Sequence, residues 1–408
     1  MIKDIIKLSI FTLGSFFIYG QPILQNYTSE NSPLPFNTVR CIAIQGGKKW
    51  FGTDVGLASF DGNNWQVFTS NNSVLSNDNI RSLKVQNDSI LWIGTMQGGL
   101  FKKSNDSWIN YNESNSGLND NLVRGIEIDS SNNIWLATSE GVSKFNGQSW
   151  QVWNVADNGL PTNNITDIRT GFSNEKYIST INGGLFYFDV QNNIEVHSIV
   201  ESGLPDNSSI DIDIDSTGQP WFATPAAGLV TDLGNGGPWA RWNITNSPIP
   251  TNGLTCISIN KEDQRIFMGS ELFGIIIKQN DVWQSYNQQN SDLPTNHITA
   301  IVHESSHVKW IGTFNNGVIR LEESSTNSKD IELPETIIYP NLVRAGEIIT
   351  VKLKSNFNNV IITGNYGYKY ISEIENNTIK LPNNLSNGLY VLQLKSQGTW
   401  HNIKFMVY

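Results

Sequence analysis

The sequence predicts an all-β chain built from a repeated four-stranded unit, with a small β-domain at its C-terminus. Three observations lead to this prediction. The composition favours turns and aromatic cores, with 34 Gly, 13 Trp and only 16% charged residues. A Trp-aliphatic-Gly-Thr motif recurs along most of the chain. Between the motifs, apolar and polar residues alternate, which is the periodicity of strands.

The motif anchors a repeat of about 43 residues in seven copies, some of them degraded. The anchors are Trp50, Trp92, Trp135, Tyr177, Trp221, Phe267 and Trp310, spaced 42, 43, 42, 44, 46 and 43 residues apart. Each unit contains four short strand patterns separated by turns. Four strands in a unit of this length match one blade of a β-propeller, in which neighbouring blades bury each other's faces.

The two ends of the repeat array predict a closed ring. The seventh unit has no fourth strand pattern after Arg320, and residues 324–333 are polar and typical of a linker. The missing pattern stands at the N-terminus, where residues 23–35 align without gaps onto residues 282–294. We therefore predict that residues 21–323 form a seven-bladed propeller whose first strand completes the last blade, because this pairing leaves no open sheet edge.

The units resemble the two-component-regulator propeller repeats, whose landmarks are Trp-Ile-Gly-Thr, Gly-Leu and Leu-x-x-Asn-x-Val. The resemblance covers roughly residues 36–320. In that family such propellers often form the periplasmic sensor part of hybrid histidine kinases. No transmembrane segment, kinase or receiver pattern follows the propeller here, so we expect no signalling across a membrane by this chain itself.

The N-terminus predicts export. Residues 1–20 combine Lys3 and Lys7 with an apolar run that is short for a membrane span, so we interpret them as a cleaved signal peptide. The alternative is an uncleaved membrane anchor. No later stretch approaches the about 18 apolar residues of a membrane helix.

Residues 334–408 contain several alternating strand patterns and predict a small Ig-like β-sandwich. They resemble the C-terminal sorting domain of the type IX (Por) secretion system at residues 339–341, 385–390 and 404–407. The resemblance implies the type IX machinery as a partner, and a location that is either secreted or at the outer-membrane surface. The net charge of −10 argues against a nucleic-acid partner, because such proteins present a basic face.

Candidate ligand-binding residues gather at one predicted mouth of the channel. Arg40, Arg81 and Arg124 take one position in three consecutive units, near the loop that enters the innermost strand. Three guanidinium groups there can hold a carboxylate or sulfate. The alternative is that they bond loop carbonyls. The loops after the anchors should ring the same mouth, and they contribute Asp54, Gln97, Glu140, Asn182 and Asn315.

A second set of charged residues is predicted deeper in the channel. Lys84, Glu127, Arg169 and Asp213 take equivalent positions in consecutive units, with alternating sign. We predict that they line the channel and offset one another, which lowers the cost of crowding charges.

Three patterns are interpreted as structural. Residues 303–307 satisfy the zinc-peptidase string H-E-x-x-H, but they align with a strand end and its turn rather than with a helix. Asp211, Asp213 and Asp215 lack the Gly and Glu of a calcium loop. Cys41 and Cys256 belong to units that are not neighbours in the ring, which argues against a disulfide.

These observations predict no catalytic residue, no metal site and no cofactor. The favoured function is a binding module for a glycan or protein ligand at the cell surface or outside the cell. One alternative is a propeller-based polysaccharide lyase or hydrolase, and another is a structural or adhesion protein of the surface.

Overall fold

The computed structural model describes residues 22–232 and 239–323, together with much of the C-terminal region. In that region the described residues are 337–339, 342–343, 345–346, 348–352, 359–364, 369–371, 374–375, 378–386, 388–396 and 399–407. The chain divides into two compact units, Met1–Ser324 and Ser325–Tyr408. The predicted signal peptide (1–20) and linker (324–333) lie outside the described residues.

The first unit consists of strands and two single helical turns. Its first fourteen strands are β1 (Ile23–Tyr27), β2 (Val39–Gln45), β3 (Lys48–Thr53), β4 (Gly56–Phe60), β5 (Trp65–Phe68), β6 (Ile80–Gln86), β7 (Ile90–Thr95), β8 (Leu100–Ser104), β9 (Ser107–Tyr111), β10 (Val123–Ile128), β11 (Ile134–Thr138), β12 (Gly141–Phe145), β13 (Trp150–Trp153) and β14 (Ile165–Thr170). Its other strands are β15 (Lys176–Thr180), β16 (Leu185–Phe188), β17 (Ile194–His197), β18 (Asp211–Ile214), β19 (Pro220–Ala223), β20 (Leu229–Asp232), β21 (Trp239–Trp242), β22 (Cys256–Ile259), β23 (Ile266–Gly269), β24 (Ile275–Gln279), β25 (Val282–Tyr286), β26 (Ile298–His303), β27 (Val308–Thr313) and β28 (Val318–Glu322). The helical turns are α1 (Val155–Asn158) and α2 (Ile199–Ser202).

These strands form seven four-stranded antiparallel sheets, the blades of a propeller. Six blades use four consecutive strands, from β2–β5 to β22–β25. The seventh has the order β1-β28-β27-β26, with Leu24 opposite Leu321 and Tyr27 opposite Val318. The innermost strands contact one another in chain order, and β26 returns to contact β2. The predicted seven-bladed ring, closed by the N-terminal strand, is confirmed.

The repeated Thr or Ser of the anchor motif is explained by one buried hydrogen bond. In every blade its hydroxyl donates to the carbonyl of a glycine just before or at the start of the third strand, over 2.7–3.1 Å. These glycines have positive φ, for example 142° at Gly56 and 75° at Gly317, which other residues rarely adopt. The last residue of the motif therefore fixes the turn between the second and third strands of each blade.

A second repeated bond orders the loop between blades. One Asn or Asp in each loop accepts the backbone N–H eight residues earlier, over 2.6–3.1 Å. These residues are Asn37, Asp78, Asn121, Asn163, Asn207, Asn252 and Asn296. At the six asparagines, the backbone carbonyl also accepts from a glycine N–H of the preceding blade, as in Gly317 to Asn37 at 2.7 Å. These six asparagines thus join neighbouring blades through both their side chains and their backbone carbonyls.

The anchor aromatics fill the wedges between blades. Trp310 of the seventh blade is 1% exposed, and its ring centroid lies 5.5 Å from that of Phe51 in the first blade. Trp135 of the third blade likewise packs 5.7 Å from Phe188 of the fourth. Burial of such rings between sheets is the main apolar contribution that a propeller gains from closing.

The second unit is also all-β. Its strands are β29 (Ile337–Tyr339), β30 (Leu342–Val343), β31 (Ile348–Lys352), β32 (Asn359–Gly364), β33 (Lys369–Ile371), β34 (Ile374–Glu375), β35 (Thr378–Lys380), β36 (Gly388–Ser396) and β37 (Thr399–Val407). They form a four-stranded sheet, β29-β31-β35-β34, and a five-stranded sheet, β30-β37-β36-β32-β33. The Ig-like packing of these sheets stays a prediction.

Candidate functional site

One residue of each innermost strand, or just before it, faces the end of the channel where these strands begin. In five blades the strand pairing shifts at this residue, as between Val39 and Cys41, which marks a β-bulge. The seven residues, here called the mouth ring, are Arg40, Arg81, Arg124, Thr166, Ile210, Thr255 and Thr299. All seven line one cavity of about 320 Å³. The structure therefore brings the three predicted arginines together.

Arg40 is held by a carboxylate. Its Nε and Nη2 atoms donate to the two carboxylate oxygens of Asp54, each over 2.9 Å. Its guanidinium also lies 5.6 Å from the ring centroid of Phe314. Since this pair uses the guanidinium bidentately, much of the hydrogen-bonding capacity of Arg40 is already taken.

Arg124 is held by the next blade. Its Nη1 donates to the side-chain oxygen of Asn164, and to the carbonyl of Ile165 over 3.1 Å. Burial, aided by the charge of Arg81, lowers the pKa of Arg124 from its usual value. The expected alternative, that these arginines bond loop carbonyls, thus describes Arg124.

Arg81 stands between the other two and has weaker partners. Its Nη2 lies 3.3 Å from the thioether sulfur of Met96, and its Nε is buried without a hydrogen bond. Burial and the charge of Arg40 lower the pKa of Arg81 from its usual value. A thioether is a poor acceptor for a charged donor, so Arg81 retains hydrogen-bonding capacity towards the cavity.

The five predicted loop residues do not line this cavity. Asn182 and Asn315 have φ of 63° and 68°, and their side chains bond Ser208 and Thr38 at the entry to the next blade. Glu140 accepts from Asn163 over 3.4 Å, and Gln97 is exposed. Asp54 is the ion-pair partner of Arg40, which does line the cavity. Most of these side chains face neighbouring loops because the turn that carries them continues directly into the third strand.

A second cavity, of about 450 Å³, opens beside the first over the later blades. The two cavities share Arg40, Ile210, Thr255 and Thr299. The remaining lining is Pro225, Thr251, Gly253, Leu254, Glu271, Leu272 and His297. Sequence reasoning missed these residues because it compared the loops of five units and left out those after Trp221 and Phe267. Extending the comparison to the degraded anchor at Phe267 would have pointed to the loop at Glu271.

The rim of this second cavity is partly apolar. Leu272 lines it and is 71% exposed, and Phe314, which contacts the lining residue His297, is 37% exposed. The ring of His297 stacks on that of Phe314, with their centroids 4.8 Å apart. A cavity that combines apolar walls with a few polar groups is the usual form of a ligand site.

The predicted charge ring is only partly joined by ion pairs. Lys84 and Glu127 pair across two blades, with 2.5 Å between Nζ and Oε2. Arg169 instead pairs with two carboxylates that lie two residues nearer the start of the innermost strands, Asp167 at 2.7 Å and Asp211 at 3.4 Å. Asp213 pairs with Lys261 at 2.8 Å. The long arginine side chain reaches past its own position on the strand, and the spacing of residues in the sequence does not reveal which carboxylate it meets.

One channel carboxylate, that of Asp211, has a strongly perturbed pKa. Burial and the neighbouring Asp167 raise the pKa of Asp211 well above its usual range. Burial opposes the charge on Arg169, but Asp167 and Asp211 raise its pKa overall. One guanidinium thus faces two carboxylates, and the raised pKa of Asp211 favours its neutral form, which brings the cluster closer to charge balance.

The contacts of the H-E-x-x-H residues are those of structural side chains. His303 ends strand β26 and packs 4.9 Å from Phe267, and burial lowers its pKa to about 4. Glu304 pairs with Lys49 over 2.6 Å. His307 is exposed and contacts Ser306. Among the described residues, no group of His, Cys, Asp and Glu side chains is arranged to hold a metal ion.

The two cysteines lie in the layer below the mouth ring. Both thiols are free, and burial raises the pKa of Cys41 to about 12. Asp215, the third acid of the calcium-like string, accepts the indole N–H of Trp221 over 2.9 Å and closes a turn.

The chain matches no family model, and no curated protein is significantly similar to it in sequence. Solved structures are similar in fold. The extracellular domain of the hybrid two-component system BT3049 from B. thetaiotaomicron aligns with a TM-score of 0.68 at 17% identity, over 95% of this chain and 57% of that one. PorZ, a surface component of the type IX secretion system of Porphyromonas gingivalis, aligns with a TM-score of 0.56 at 16% identity, over 91% of this chain and 60% of that one.

Virginiamycin B lyase from Staphylococcus aureus aligns with a TM-score of 0.61 at 11% identity, over 74% of this chain and 99% of that one. The chain thus spans under two thirds of the BT3049 and PorZ chains. These likenesses are likenesses of fold. The same architecture serves extracellular domains and an enzyme, so function must be argued from the site. No described helix is long and apolar enough to cross a membrane.

Proposed function

We propose that the propeller is a ligand-binding module that takes a glycan or a protein at its channel mouth, at the cell surface or outside the cell. The observation that carries the proposal is the pair of joined cavities at the mouth ring, walled by Arg40, Thr255 and Thr299. The mouth of a ring of blades is a natural site because residues from all seven blades converge there. The extracellular placement of the BT3049 domain supports the location.

A purified full-length chain, screened on arrays of oligosaccharides and of peptides, tests this proposal. The variant Leu272→Asp places a charge at the rim of the larger cavity, where the leucine is 71% exposed. Val200→Asp is the matched control, because Val200 is 91% exposed and lines neither cavity. We expect Leu272→Asp to weaken the binding of any hit at least tenfold and Val200→Asp to leave it unchanged. Absence of any hit overturns the proposal.

The same screen separates the two alternatives. Each hit is incubated with the protein and examined for cleavage, which a lyase or hydrolase would produce. The lyase fold of virginiamycin B lyase motivates this measurement. Adhesion without a soluble ligand would instead appear as binding of the protein to whole cells when both arrays are blank. Binding without turnover is the expected result.

We further propose that residues 334–408 direct export through the type IX machinery. The proposal rests on the resemblance of residues 339–341, 385–390 and 404–407 to the sorting domain. A fold shared with PorZ gives it secondary support. The full chain should leave the cell in a type IX-proficient strain and remain in the periplasm of a type IX-deficient strain. Export that is equal in both strains would contradict it.

A further inference from the structure

The mouth ring contains one arginine whose bonding differs from that of its neighbours. At three other ring positions a threonine hydroxyl donates to a backbone carbonyl of the next blade: Thr166 to Ser209, Thr255 to Ile298 and Thr299 to Val39. Arg124 makes the equivalent bond to the carbonyl of Ile165. The ring residue therefore commonly joins its blade to the next one.

At Arg81 the equivalent bond is made by another residue. The carbonyl that Arg81 would meet is that of Val123, and the hydroxyl of Ser82 donates to it over 3.0 Å. Arg81 is left with the sulfur of Met96 and with a buried, unbonded Nε. A buried guanidinium N–H without an acceptor costs free energy that an incoming acceptor would recover.

The surroundings of Arg81 favour an anion as that acceptor. Arg40 and Arg124 flank it in the two neighbouring blades, and all three line the same cavity. The nearby carboxylates are engaged: Asp54 with Arg40, and Asp120 with the backbone N–H and hydroxyl of Ser139. The carboxylates that line the same cavity are also paired, Asp167 and Asp211 with Arg169 and Asp213 with Lys261. An anion at Arg81 would both fill its hydrogen-bonding capacity and relieve the repulsion among the three cations.

The adjoining cavity indicates what carries the anionic group. Its wall offers the hydroxyl of Thr251, the carboxylate of Glu271 and the apolar rim of Leu272. The hydroxyls of Thr255 and Thr299 donate to backbone carbonyls but can still accept a hydrogen bond. Hydroxyl and carboxylate groups beside an apolar surface suit a sugar, which has both hydroxyls and a C–H face.

An extended peptide is less well served at this mouth. Such a peptide binds by pairing with free backbone groups at a sheet edge. Here many of the inner edges are already bonded by side chains of the preceding blade. Ser82 and Thr299 occupy carbonyls, and Asp211 and Asp213 accept the N–H groups of Ile257 and Ile259 over 2.9 and 2.7 Å.

We propose that the ligand of this propeller is an acidic oligosaccharide, whose carboxylate or sulfate is bound by Arg81 while its sugar units occupy the adjoining cavity. The inference rests on the proposed binding function and deepens it. Arg40 and Arg124 act as flanking cations that their own partners hold in place.

The test uses short oligogalacturonides as carboxylated ligands and their methyl esters as matched neutral ligands. Heparin-derived oligosaccharides are the sulfated ligands, and acidic peptides test the protein alternative. Affinity is measured by calorimetry at low and high NaCl on the full chain. Variants are Arg81→Gln, which removes the charge, Arg81→Lys, which keeps the charge but loses the planar fork, and the control Arg241→Gln at an exposed arginine of strand β21.

The expected result is binding of a carboxylated or sulfated saccharide that weakens with salt and falls about ten- to hundredfold in Arg81→Gln. Arg81→Lys should lie between that variant and the wild type, and Arg241→Gln should match the wild type. Binding of a saccharide that is independent of charge or of Arg81, or binding of the peptides alone, overturns this inference and leaves the proposed binding function standing. If neither saccharides nor peptides bind the wild type, both fail.

Discussion

The buried carboxylate of Glu323 provides a strong test of how the ring is held at its closing blade. Glu323 is 2% exposed and accepts from Arg265 of the sixth blade over 2.6 and 2.7 Å. It also pairs with Lys309, which is fully buried in the seventh blade. One carboxylate thus pairs with two buried cations from two blades, and Asp263 is a second partner of Arg265 over 2.8 Å.

Replacing Glu323 by Gln should be strongly destabilising because it removes the carboxylate that pairs with the buried Lys309, while Arg265 keeps Asp263 at 2.8 Å. Breaking a buried ion pair by removing one partner typically costs about 3–5 kcal/mol. Unfolding entropy of about 2.1 cal/mol/K per residue, over the roughly 300 residues of a propeller, converts this to a fall in Tm of about 5–8 °C. Differential scanning calorimetry of the full chain measures the propeller transition.

The neighbouring residue supplies a matched control. Glu322 pairs with Arg320 over 2.6 Å, but their side chains are 42% and 29% exposed. An exposed pair contributes about 0–1 kcal/mol, so Glu322→Gln should shift Tm by no more than about 2 °C. Equal shifts for the two variants would refute the reasoning that burial, and not the ion pair itself, sets the cost.

Three further predictions concern acid sensitivity, packing and closure. Burial lowers the pKa of His303 in the folded protein to about 4, below its unfolded value, so protonation of His303 favours unfolding. The free energy of unfolding should therefore decline by about 3 kcal/mol as the pH falls from about 6.5 to 4. His303→Phe should remove this part of the decline in urea titrations at several pH values. Gly94→Ala should cost about 1–3 kcal/mol in the same assay, because a Cβ there would lie 2.2 Å from the hydroxyl oxygen of Ser82 and 2.6 Å from the carbonyl oxygen of Val123. Ser82→Gly relieves only the first of these contacts and should recover part of the loss. Tyr27→Ala should cost about 2–4 kcal/mol and speed proteolysis of the N-terminal strand, since its ring packs 5.4 Å from Phe60 across the closure.

Each of these has a control within the chain. His307→Asn changes an exposed histidine of the same hairpin and should preserve the wild-type pH dependence. The third blade already carries the pair Gly125 and Ala137 in place of Ser82 and Gly94, so that arrangement is tolerated by the fold. Ile23→Ala removes a 62% exposed residue of the same strand and should be nearly neutral. An unchanged pH profile, a neutral Gly94→Ala or equal effects at Ile23 and Tyr27 would contradict the respective prediction.

The blade count and the closure were predictable from the sequence because both are local patterns repeated many times. A period of about 43 residues and a motif whose threonine bonds its own turn leave a signature in each unit. The pairing of Leu24 with Leu321 was predictable for the same reason: the N-terminal segment carries the pattern that the last unit lacks. Whether a segment forms a strand depends mainly on residues close to it along the chain, so a single sequence is sufficient to predict the strands.

The site was predictable only in part. The sequence placed Arg40, Arg81 and Arg124 at one position, but it could not tell that Asp54 and the carbonyl of Ile165 engage two of them while Ser82 deprives the third of such a bond. The contacts of Arg124 and Ser82 join blades about 40 residues apart, whereas Asp54 pairs with Arg40 inside one blade. None of the three contacts recurs in every unit, so none leaves a periodic signal.

What the sequence determined by itself is the architecture: strands, turns and ring closure follow from alternation, from glycine and threonine at fixed positions and from the terminal repeat. What only the tertiary structure decided is which charges remain available. Arg169 pairs with Asp167 and Asp211, Glu323 pairs with two cations from different blades, and Arg81 alone of the three mouth arginines keeps a buried N–H without an acceptor. The physical reason is that hydrogen-bond satisfaction is a property of neighbours in space, and closing the ring brings together blades that the chain itself keeps apart.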